Sequence, residues 1–330
     1  MQEIIIGPNQ AGQRFDKFLN KYLPNAGNSF LYKMLRKKNI TLNGRKAEGK
    51  EMLAKGDIVR TFFAEETFAK FSGQPIAGDR RQAADITSYQ QAFQALKGIT
   101  VLQEDDDKIL LNKPAGILTQ KAKDSDFSLN EWLIGYLLSS GGITPAELAT
   151  FKPSVCNRLD RNTSGIVLCG KSLSGSQRLN EMIRTREVSK FYRTICVGKI
   201  KETAYLEGYL TKASNTNRVQ VSGERKTPED HPIHTAYAPI KTNGNFTLLE
   251  VELITGKTHQ IRAHLSSIGH PLIGDFKYGN PGINQELKAR YGLTYQLLHA
   301  YRIEFPDGTE VTAPYSEQFT AVMESLFPEP

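Results

Sequence analysis

Apolar side chains near the start of the chain recur with the spacing of a helix. Phe15, Phe18, Leu19 and Tyr22 stand at i, i+3, i+4 and i+7, so a helix over residues 13–22 would present all four on one face. The pattern predicts a short amphipathic helix at this position.

A second helix is predicted after the first, with Ser29 placed to cap its N-terminus. One side of this helix is apolar and the other side is basic. The apolar positions are Leu31, Met34 and Leu35, and the basic positions are Lys33, Arg36, Lys37 and Lys38.

Alternating residues over 40–46, with a turn at Asn43-Gly44, and over 53–59 indicate a small sheet. The first part of the chain is therefore predicted to hold two small helices and a small sheet.

Strand and helix signals alternate in the rest of the chain. Strand composition is found at residues 108–112, 166–169, 191–197, 246–253 and 300–305, and helices are predicted at about 128–138, 172–186 and 258–268. Strands that are separated by only a few helices favour an α+β fold with a mixed, mainly antiparallel sheet.

A chain of 330 residues suggests two domains, at roughly 150 residues for each. Residues 73–98 are poor in large apolar residues and lack a sustained period, so we predict a linker there, with a weak helix around residues 88–97. The predicted organisation is a small domain over residues 1–72, the linker over 73–98 and a large domain over 99–330.

The positive charge of the chain is concentrated in the first predicted domain. The whole chain has 42 Lys and Arg against 35 Asp and Glu, a net charge of +7, and residues 1–72 hold 13 of the basic residues and only 7 of the acidic ones. A basic segment of this kind suggests contact with a polyanion such as nucleic acid. A basic face that merely meets solvent is the alternative, and composition alone does not separate the two.

The cysteines and the apolar runs bear on the compartment. Cys156, Cys169 and Cys196 are odd in number and form no CxxC pair, which argues against a disulfide framework and a thiolate zinc site. The first residues lack the pattern of a signal peptide, and no apolar run approaches the roughly 20 residues of a membrane span. We therefore expect a cytoplasmic protein that does not enter a membrane.

Four polar segments in the large predicted domain stand beside turns. They are 157–165, which holds Asp160 between Arg158 and Arg161, and then 190–192, 255–264 and 269–275. An acidic residue between arginines has a stabilised charge, but such a residue is more often one half of a structural ion pair. Tyr192, at the start of a predicted strand, is ordinarily a half-buried core residue. Taken singly, the segments leave structural and chemical roles open.

Several other chemistries lack the residues that they require. Segment 256–258 resembles the end of a phosphate-binding loop, but Val251 stands where that motif needs a glycine. His259 and His264 are five positions apart and would lie on different faces of a helix, which argues against a zinc pair. The sequence also lacks a dinucleotide-binding GxGxxG and a hydrolase GxSxG.

Taken together, the four segments resemble the RluA-type family of RNA pseudouridine synthases, and the resemblance covers nearly all of residues 99–320. The residues that carry it are Asp107, Asn112-Lys113-Pro114-Ala115-Gly116, Arg158-Leu159-Asp160, Thr163-Ser164-Gly165, Lys190, Tyr192, 255–262 and 269–275. The first 72 residues are similar to an S4 RNA-binding domain, through segment 14–19, the basic second helix, residues 42–45 and the turn at 53–57. Asn157 and Lys257 depart from the family pattern, since many members have histidine in place of Asn157 and arginine in place of Lys257. These differences affect which RNA is expected to be the target, and not the expected chemistry.

The resemblance implies an enzyme that detaches uracil from its ribose, turns it and rejoins it through carbon. Asp160 then corresponds to the essential aspartate, Arg262 to the basic residue that pairs with it, and Tyr192 to the tyrosine that stacks on the uracil. Arg158 corresponds to a residue that fills the gap left by the flipped nucleotide. The remaining implied RNA contacts are Lys33, Arg36, Lys37, Lys38 and Arg45 on the RNA backbone, and Lys113 and Lys257, which would contact phosphates or hold loops.

The reaction implied by the resemblance is redox-neutral and hydrolyses nothing, so we expect no cofactor and no metal site. The expected partner is RNA, most simply large-subunit ribosomal RNA, with transfer RNA as the other target known for the family, and the expected state is a monomer.

An alternative from another functional class is an RNA-binding assembly factor or chaperone on the same scaffold with little catalysis. The presence of Asp160, Tyr192 and Arg262 together favours the enzyme, because a protein that only binds RNA does not need this trio. For the first domain, the alternatives to RNA binding are a DNA-binding helix pair or an inert basic domain.

Overall fold

The N-terminal part of the chain forms a small unit around a sheet of four short strands. The computed structural model describes residues 1–72, 80–148, 150–212 and 218–328. The elements of this part are β1 (Gln2–Ile5), α1 (Phe15–Tyr22), α2 (Asn28–Arg36), β2 (Ile40–Leu42), β3 (Arg45–Lys46), β4 (Ile58–Thr61) and α3 (Glu65–Ser72). The strands pair antiparallel in the order β1-β4-β2-β3.

The two predicted helices of this unit are present and pack their apolar faces into its core. Phe15, Phe18 and Leu19 of α1 are fully buried, as the helical spacing predicted. Helix α2 starts before Ser29: Gly27 occupies the N-cap position and no side chain caps the helix, so the prediction of Ser29 as the cap is wrong. The basic residues predicted for this unit are all exposed, and they are Lys33, Arg36, Lys37, Lys38 and Arg45.

One large mixed sheet organises the rest of the described chain. Its strands are β5 (Thr100–Glu104), β6 (Lys108–Lys113), β7 (Ser154–Val155), β8 (Ser164–Gly170), β9 (Ser189–Val197), β10 (Ala204–Lys212), β11 (Val219–Ser222), β12 (His231–Thr242), β13 (Phe246–Leu253), β14 (Leu298–Glu304) and β15 (Glu310–Thr312). The order is β11-β10-β12-β13-β9-β14-β8-β6-β5, with β15 beside β14 and β7 beside β8. Among the described strand pairs, β8 with β14 is parallel and the others are antiparallel, which confirms the predicted mixed, mainly antiparallel sheet.

Helices cover parts of both faces of this sheet. They are α4 (Arg80–Ala95), α5 (Leu129–Ser140), α6 (Pro145–Leu148), α7 (Leu173–Thr185), α8 (Gln260–Ser267), α9 (Pro281–Tyr291) and α10 (Glu317–Leu326). On one face, Tyr192 and Val251 share a core with Ile261 of α8. On the other face, Ile195 packs with Phe319 of α10.

Strand β9 lies in the interior of the sheet, between β13 and β14. Tyr192 stands opposite Val251 on one side and opposite Ala300 on the other. Because side chains alternate along a strand, the next residue, Arg193, faces the opposite side of the sheet from Tyr192. There its guanidinium lies 2.9 Å from a carboxylate oxygen of Glu250.

Helix α4 occupies much of the segment that was predicted to be a linker. Tyr89 and Ala92 of this helix are buried, and α4 approaches α5 so closely that a Cβ on Gly135 would lie 2.2 Å from the Tyr89 carbonyl oxygen. The weak helix predicted around residues 88–97 corresponds to the second half of α4, but the linker prediction is wrong over residues 80–95. Its residues 73–79 lie outside the described part of the chain. In the described ranges, no helix has the length and apolar character to cross a membrane.

The N-terminal unit contacts the rest of the chain through a polar segment that follows β1. The Asn9 side-chain amide donates to a carboxylate oxygen of Glu147 at 3.2 Å, and the Gln10 amide donates to the Thr150 hydroxyl at 3.2 Å. Asn9 and Gln10 are both buried, so these hydrogen bonds satisfy polar groups that water does not reach.

Candidate active site

Asp160 lies in the connection between β7 and β8, four residues before β8 begins. The Thr163 N–H donates to the Asp160 carbonyl at 3.1 Å and closes a turn there. The turn leads into Gly165, whose φ of 109° and close approach to β14 both require glycine, because an added Cβ would lie 2.2 Å from the Ala300 carbonyl oxygen. The parallel pairing of β8 with β14 thus fixes the place from which the Asp160 side chain emerges, and that side chain is 25% exposed.

Arg262, on α8, joins Asp160 to a second carboxylate. Its Nη1 donates to Asp160 Oδ2 at 2.9 Å, while Nε and Nη2 donate to Oδ2 and Oδ1 of Asp275 at 2.7 and 2.9 Å. Two parallel bonds of this kind are the strongest arrangement between a guanidinium and a carboxylate. Asp275 therefore sets the direction of the guanidinium, and an N–H of its third nitrogen, Nη1, is directed at Asp160.

Asp275 is fully buried and belongs to the motif at 269–275, but its role was not predicted from the sequence. Burial raises the pKa of its carboxyl, but the bonds from Arg262 outweigh burial and hold the pKa below the usual range. Its Oδ1 also accepts the N–H groups of Lys277 and Tyr278 at 2.9 and 3.1 Å. The ionised form of Asp275 is thus the form that this site stabilises.

Tyr192 extends from β9 toward the same small cavity as Asp160. The cavity has a volume of about 50 Å³ and is lined by Arg158, Leu159, Asp160, Thr163, Tyr192, Leu253, Lys257, His259, Gln260, Ile261, Arg262 and Leu298. Burial, and then the charge of Asp160, raise the pKa of the Tyr192 hydroxyl, so it remains protonated at neutral pH. The structure brings together the three residues predicted to be catalytic: Asp160, Tyr192 and Arg262.

Arg158 and Lys257, predicted to contact RNA, are exposed at the edge of this cavity. Their long cationic side chains meet solvent there. Asn157, where many family members have histidine, accepts the Leu168 N–H at 2.8 Å and so joins the segment before Asp160 to β8.

Lys113 offers no surface for a contact with RNA, because its side chain is completely buried. Its ammonium donates to the carbonyl oxygens of Pro114, Ile117 and Arg161 at 3.0, 2.9 and 3.1 Å. Burial lowers the pKa of Lys113 to about 7, and the charge of Asp160 partly opposes this shift. The prediction of a phosphate contact is wrong. Lys113 instead ties the turn after β6 to the residue that follows Asp160, the loop-holding role that was its alternative.

His259 and Tyr278 are two further groups beside the cavity. His259 precedes α8 with a left-handed backbone, φ 56°, and its Nε2 lies 3.7 Å from Asp160 Oδ2. Its Nδ1 lies 3.0 Å from the Tyr278 hydroxyl. Apart from the zinc site that its spacing from His264 argued against, no role was predicted for His259, and none was predicted for Tyr278, three residues after Asp275.

Comparison with known proteins places these features in a family. The model of the RNA pseudouridylate synthase family matches residues 107–267. A ribosomal large subunit pseudouridine synthase C from Haemophilus ducreyi is 30% identical over 334 residues, which cover 99% of this chain and 96% of that protein. The protein of the same name from Vibrio vulnificus is 29% identical over 331 residues, with coverage of 99% and 96%.

A solved structure agrees with the fold. Human RNA pseudouridylate synthase domain containing 4 superposes with a TM-score of 0.58 at 20% identity, covering 74% of this chain and 97% of that one. This likeness concerns the fold alone, whereas the sequence matches concern the family. They confirm the resemblance found in the motifs of the large domain, and the chain belongs to the RNA pseudouridylate synthase family.

Proposed function

We propose that this chain isomerises uridines to pseudouridines in large-subunit ribosomal RNA. The observation that carries the proposal is the Asp160–Arg262 ion pair, at 2.9 Å, in a cavity that Tyr192 also lines. The names of the relatives from Haemophilus ducreyi and Vibrio vulnificus, which match almost the whole chain, support ribosomal RNA as the target.

The proposed reaction breaks the bond between uracil N1 and the ribose and forms a bond between C5 and the same ribose carbon. A proton leaves C5 and N1 gains one, so no electrons are exchanged with a cofactor. Asp160 acts in its ionised form, as a nucleophile or as a base, and the guanidinium of Arg262 stabilises that form.

The other residues of the cavity receive roles from their positions. Tyr192 stacks on the uracil and assists removal of the C5 proton. Arg158, at the exposed edge, fills the space that the flipped nucleotide leaves, because a stacked base must leave the helix to reach a carboxylate inside a cavity. Lys257 contacts a phosphate at the same edge.

We assign residues 1–72 to an S4-like RNA-binding domain and place the catalytic domain in residues 99–330. A separate hydrophobic core within the first segment and the exposure of Lys33, Arg36, Lys37, Lys38 and Arg45 support this division. Cys156, Cys169 and Cys196 are unpaired, which is compatible with the reducing cytoplasm that we propose as the compartment.

The target is tested by mapping pseudouridines in cells with and without the gene. We expect one or more large-subunit ribosomal RNA positions to lose the modification in the deletion strain and to regain it when the gene is returned. Loss confined to transfer RNA would contradict the proposed target but not the chemistry.

Removing charge from the basic side of α2 and from Lys37, which follows it, should weaken RNA binding in a salt-dependent way. In the triple variant Lys33→Gln, Arg36→Gln, Lys37→Gln, each lost phosphate contact should reduce the slope of log K against log salt by about 0.7–0.9. The measurement is RNA affinity by filter binding between low and moderate salt. Removing Lys199, Lys201 and Lys241, which are exposed on the large domain, is the matched control with the same loss of charge. An equal change of slope in both triple variants would contradict a specific role for α2.

Replacing Tyr192 with phenylalanine should slow the reaction while leaving RNA affinity close to that of the wild type. The ring that stacks on the uracil remains, but the hydroxyl that assists proton removal is lost, and loss of such assistance costs about 100-fold. Single-turnover formation of pseudouridine at saturating RNA measures the effect. A wild-type rate constant would exclude the hydroxyl from the reaction.

A further inference from the structure

The pair formed by His259 and Tyr278 connects strand β11 to the Asp160 carboxylate. The Val219 N–H donates to the Tyr278 hydroxyl oxygen at 2.9 Å, and that hydroxyl lies 3.0 Å from His259 Nδ1. The other ring nitrogen, Nε2, lies 3.7 Å from Asp160 Oδ2. These groups form a continuous series from a backbone amide to the proposed catalytic carboxylate.

The Asp160 carboxylate beside Nε2 decides which nitrogen of His259 carries the proton. Burial is the main cause that lowers the pKa of the ring, which is therefore neutral near pH 7 and has a single N–H. A proton on Nδ1 would leave the lone pair of Nε2 facing the Asp160 carboxylate, which repels it. With the proton on Nε2, the ring accepts from Tyr278 and directs an N–H at Asp160, so all these contacts are favourable.

The turn that holds His259 is itself rigidly anchored. The Gln260 side chain accepts the Lys257 N–H at 3.1 Å and the Thr255 hydroxyl at 2.9 Å, and it donates to the His234 carbonyl at 2.9 Å. A non-glycine residue is kept in the left-handed region only where its surroundings impose that conformation. Here the imposed conformation brings the imidazole to Asp160.

We propose that His259 is a positioning residue for Asp160, holding Oδ2 together with Arg262 and leaving Oδ1 as the oxygen that meets the nucleotide. Arg262 Nη1 and His259 Nε2 both approach Oδ2, and none of the described residues donates to Oδ1. At 3.7 Å the His259 contact is longer than a hydrogen bond, and such contacts shorten when substrate closes a site. This inference rests on the proposed function, because it concerns how the same carboxylate is aimed.

Two substitutions at position 259 distinguish a role in positioning the Asp160 carboxylate from a role in stabilising the fold. Glutamine places an N–H close to the position of Nε2, whereas asparagine reaches only the position of Nδ1 and tolerates the left-handed backbone well. Single-turnover rate constants at saturating RNA, RNA dissociation constants and melting temperatures are measured for both variants. His231→Asn, at an exposed position on β12, controls for the loss of a histidine elsewhere.

The expected result is a rate constant for His259→Asn that is lower by about 10- to 100-fold, the effect of one hydrogen bond to a charged group, at an RNA affinity within about twofold. His259→Gln should recover most of this loss and remain within about threefold of the wild type, because it restores the donor. Equal losses in the two variants, or no loss in either, would overturn the proposal.

A third variant decides the question if the melting temperature of either position-259 variant falls. Tyr278→Phe keeps His259 and its backbone but removes the hydroxyl that orients the imidazole, and it should lower the rate constant by about threefold to tenfold. A wild-type rate for this variant would overturn the proposal. Inactivity of the wild-type protein on every uridine-containing RNA would instead be a failure of the proposed function.

Discussion

Replacing Asp160 with asparagine is expected to abolish pseudouridine formation while leaving the fold and RNA binding nearly intact. Asparagine has almost the same shape as aspartate, so the side chains around it keep their packing. It carries no charge and is a far poorer nucleophile or base, so the chemical step loses its central group. Tritium release from RNA that contains [5-³H]uridine measures the loss.

The structure explains why this variant should remain stable. Arg262 keeps both of its hydrogen bonds to Asp275 when the Asp160 charge is removed, so the buried guanidinium is still neutralised. The Asp160 side chain is 25% exposed, and water weakens the contribution of its ion pair, which we place at about 1 kcal/mol. Thermal melting in parallel with tritium release is therefore expected to show a near-native transition. Retained tritium release would contradict the assignment of Asp160 as the catalytic group.

Replacing Asp275 with asparagine is expected, in contrast, to destabilise the folded protein strongly. The same substitution now removes the charge that neutralises a buried guanidinium, and breaking a buried pair on one side costs about 3–5 kcal/mol. An asparagine amide also places an N–H where Arg262 donates, so at most one of the two bonds survives. The free energy of unfolding, from urea titration, measures the loss, and Asp160→Asn is the matched control on the other side of the same guanidinium.

The acid dependence of unfolding gives a second measurement for Asp275. Its pKa in the folded protein is below that of a free aspartate, so its contribution to stability is complete above the ordinary aspartate pKa and is lost as the pH falls through the lower pKa of the folded protein. Below pH ~4 the difference in stability between the wild type and Asp275→Asn should therefore narrow. Equal stability of the two proteins at neutral pH would show that the Arg262–Asp275 pair does not support the fold.

The sequence predicted the elements whose pattern is local. The helical spacing of Phe15, Phe18 and Leu19 yields α1, and the compact apolar runs at 166–169 and 191–197 yield β8 and β9. In these segments the local hydrophobic pattern and the surrounding packing favour the same secondary structure.

Other elements depend on partners far away in the chain. Strand β12 contains Pro232 and Pro239, which argue against a strand inside a sheet, yet it pairs on both sides and shifts its register between Pro239 and Lys241. Helix α4 has a weak pattern of its own, and it packs against α5 because Gly135 of α5 lets it approach closely. Neither packing arrangement can be inferred from a local window of sequence.

The candidate site shows the same division. Motifs identified Asp160, Tyr192 and Arg262, because their order along the chain is characteristic of the family. The position of the Lys113 ammonium among three carbonyls, and the use of Asp275 to direct Arg262, depend on distances between segments that the sequence does not contain. A buried lysine and a buried aspartate in polar motifs look the same in sequence as exposed ones.

The interior position of β9 restricts where the chain can change its length. Hydrogen bonds to β13 and β14 hold this strand on both sides, and its residues alternate between the two faces of the sheet. Deleting one residue before Tyr192 would shift the register by one position, exchange the faces and direct Arg193 toward Asp160, placing a cation where an aromatic ring belongs. Side chains of the exposed turn at 306–309, between β14 and β15, do not alternate between the faces of a sheet. An added residue there lengthens a loop and leaves the orientation of every proposed catalytic side chain unchanged.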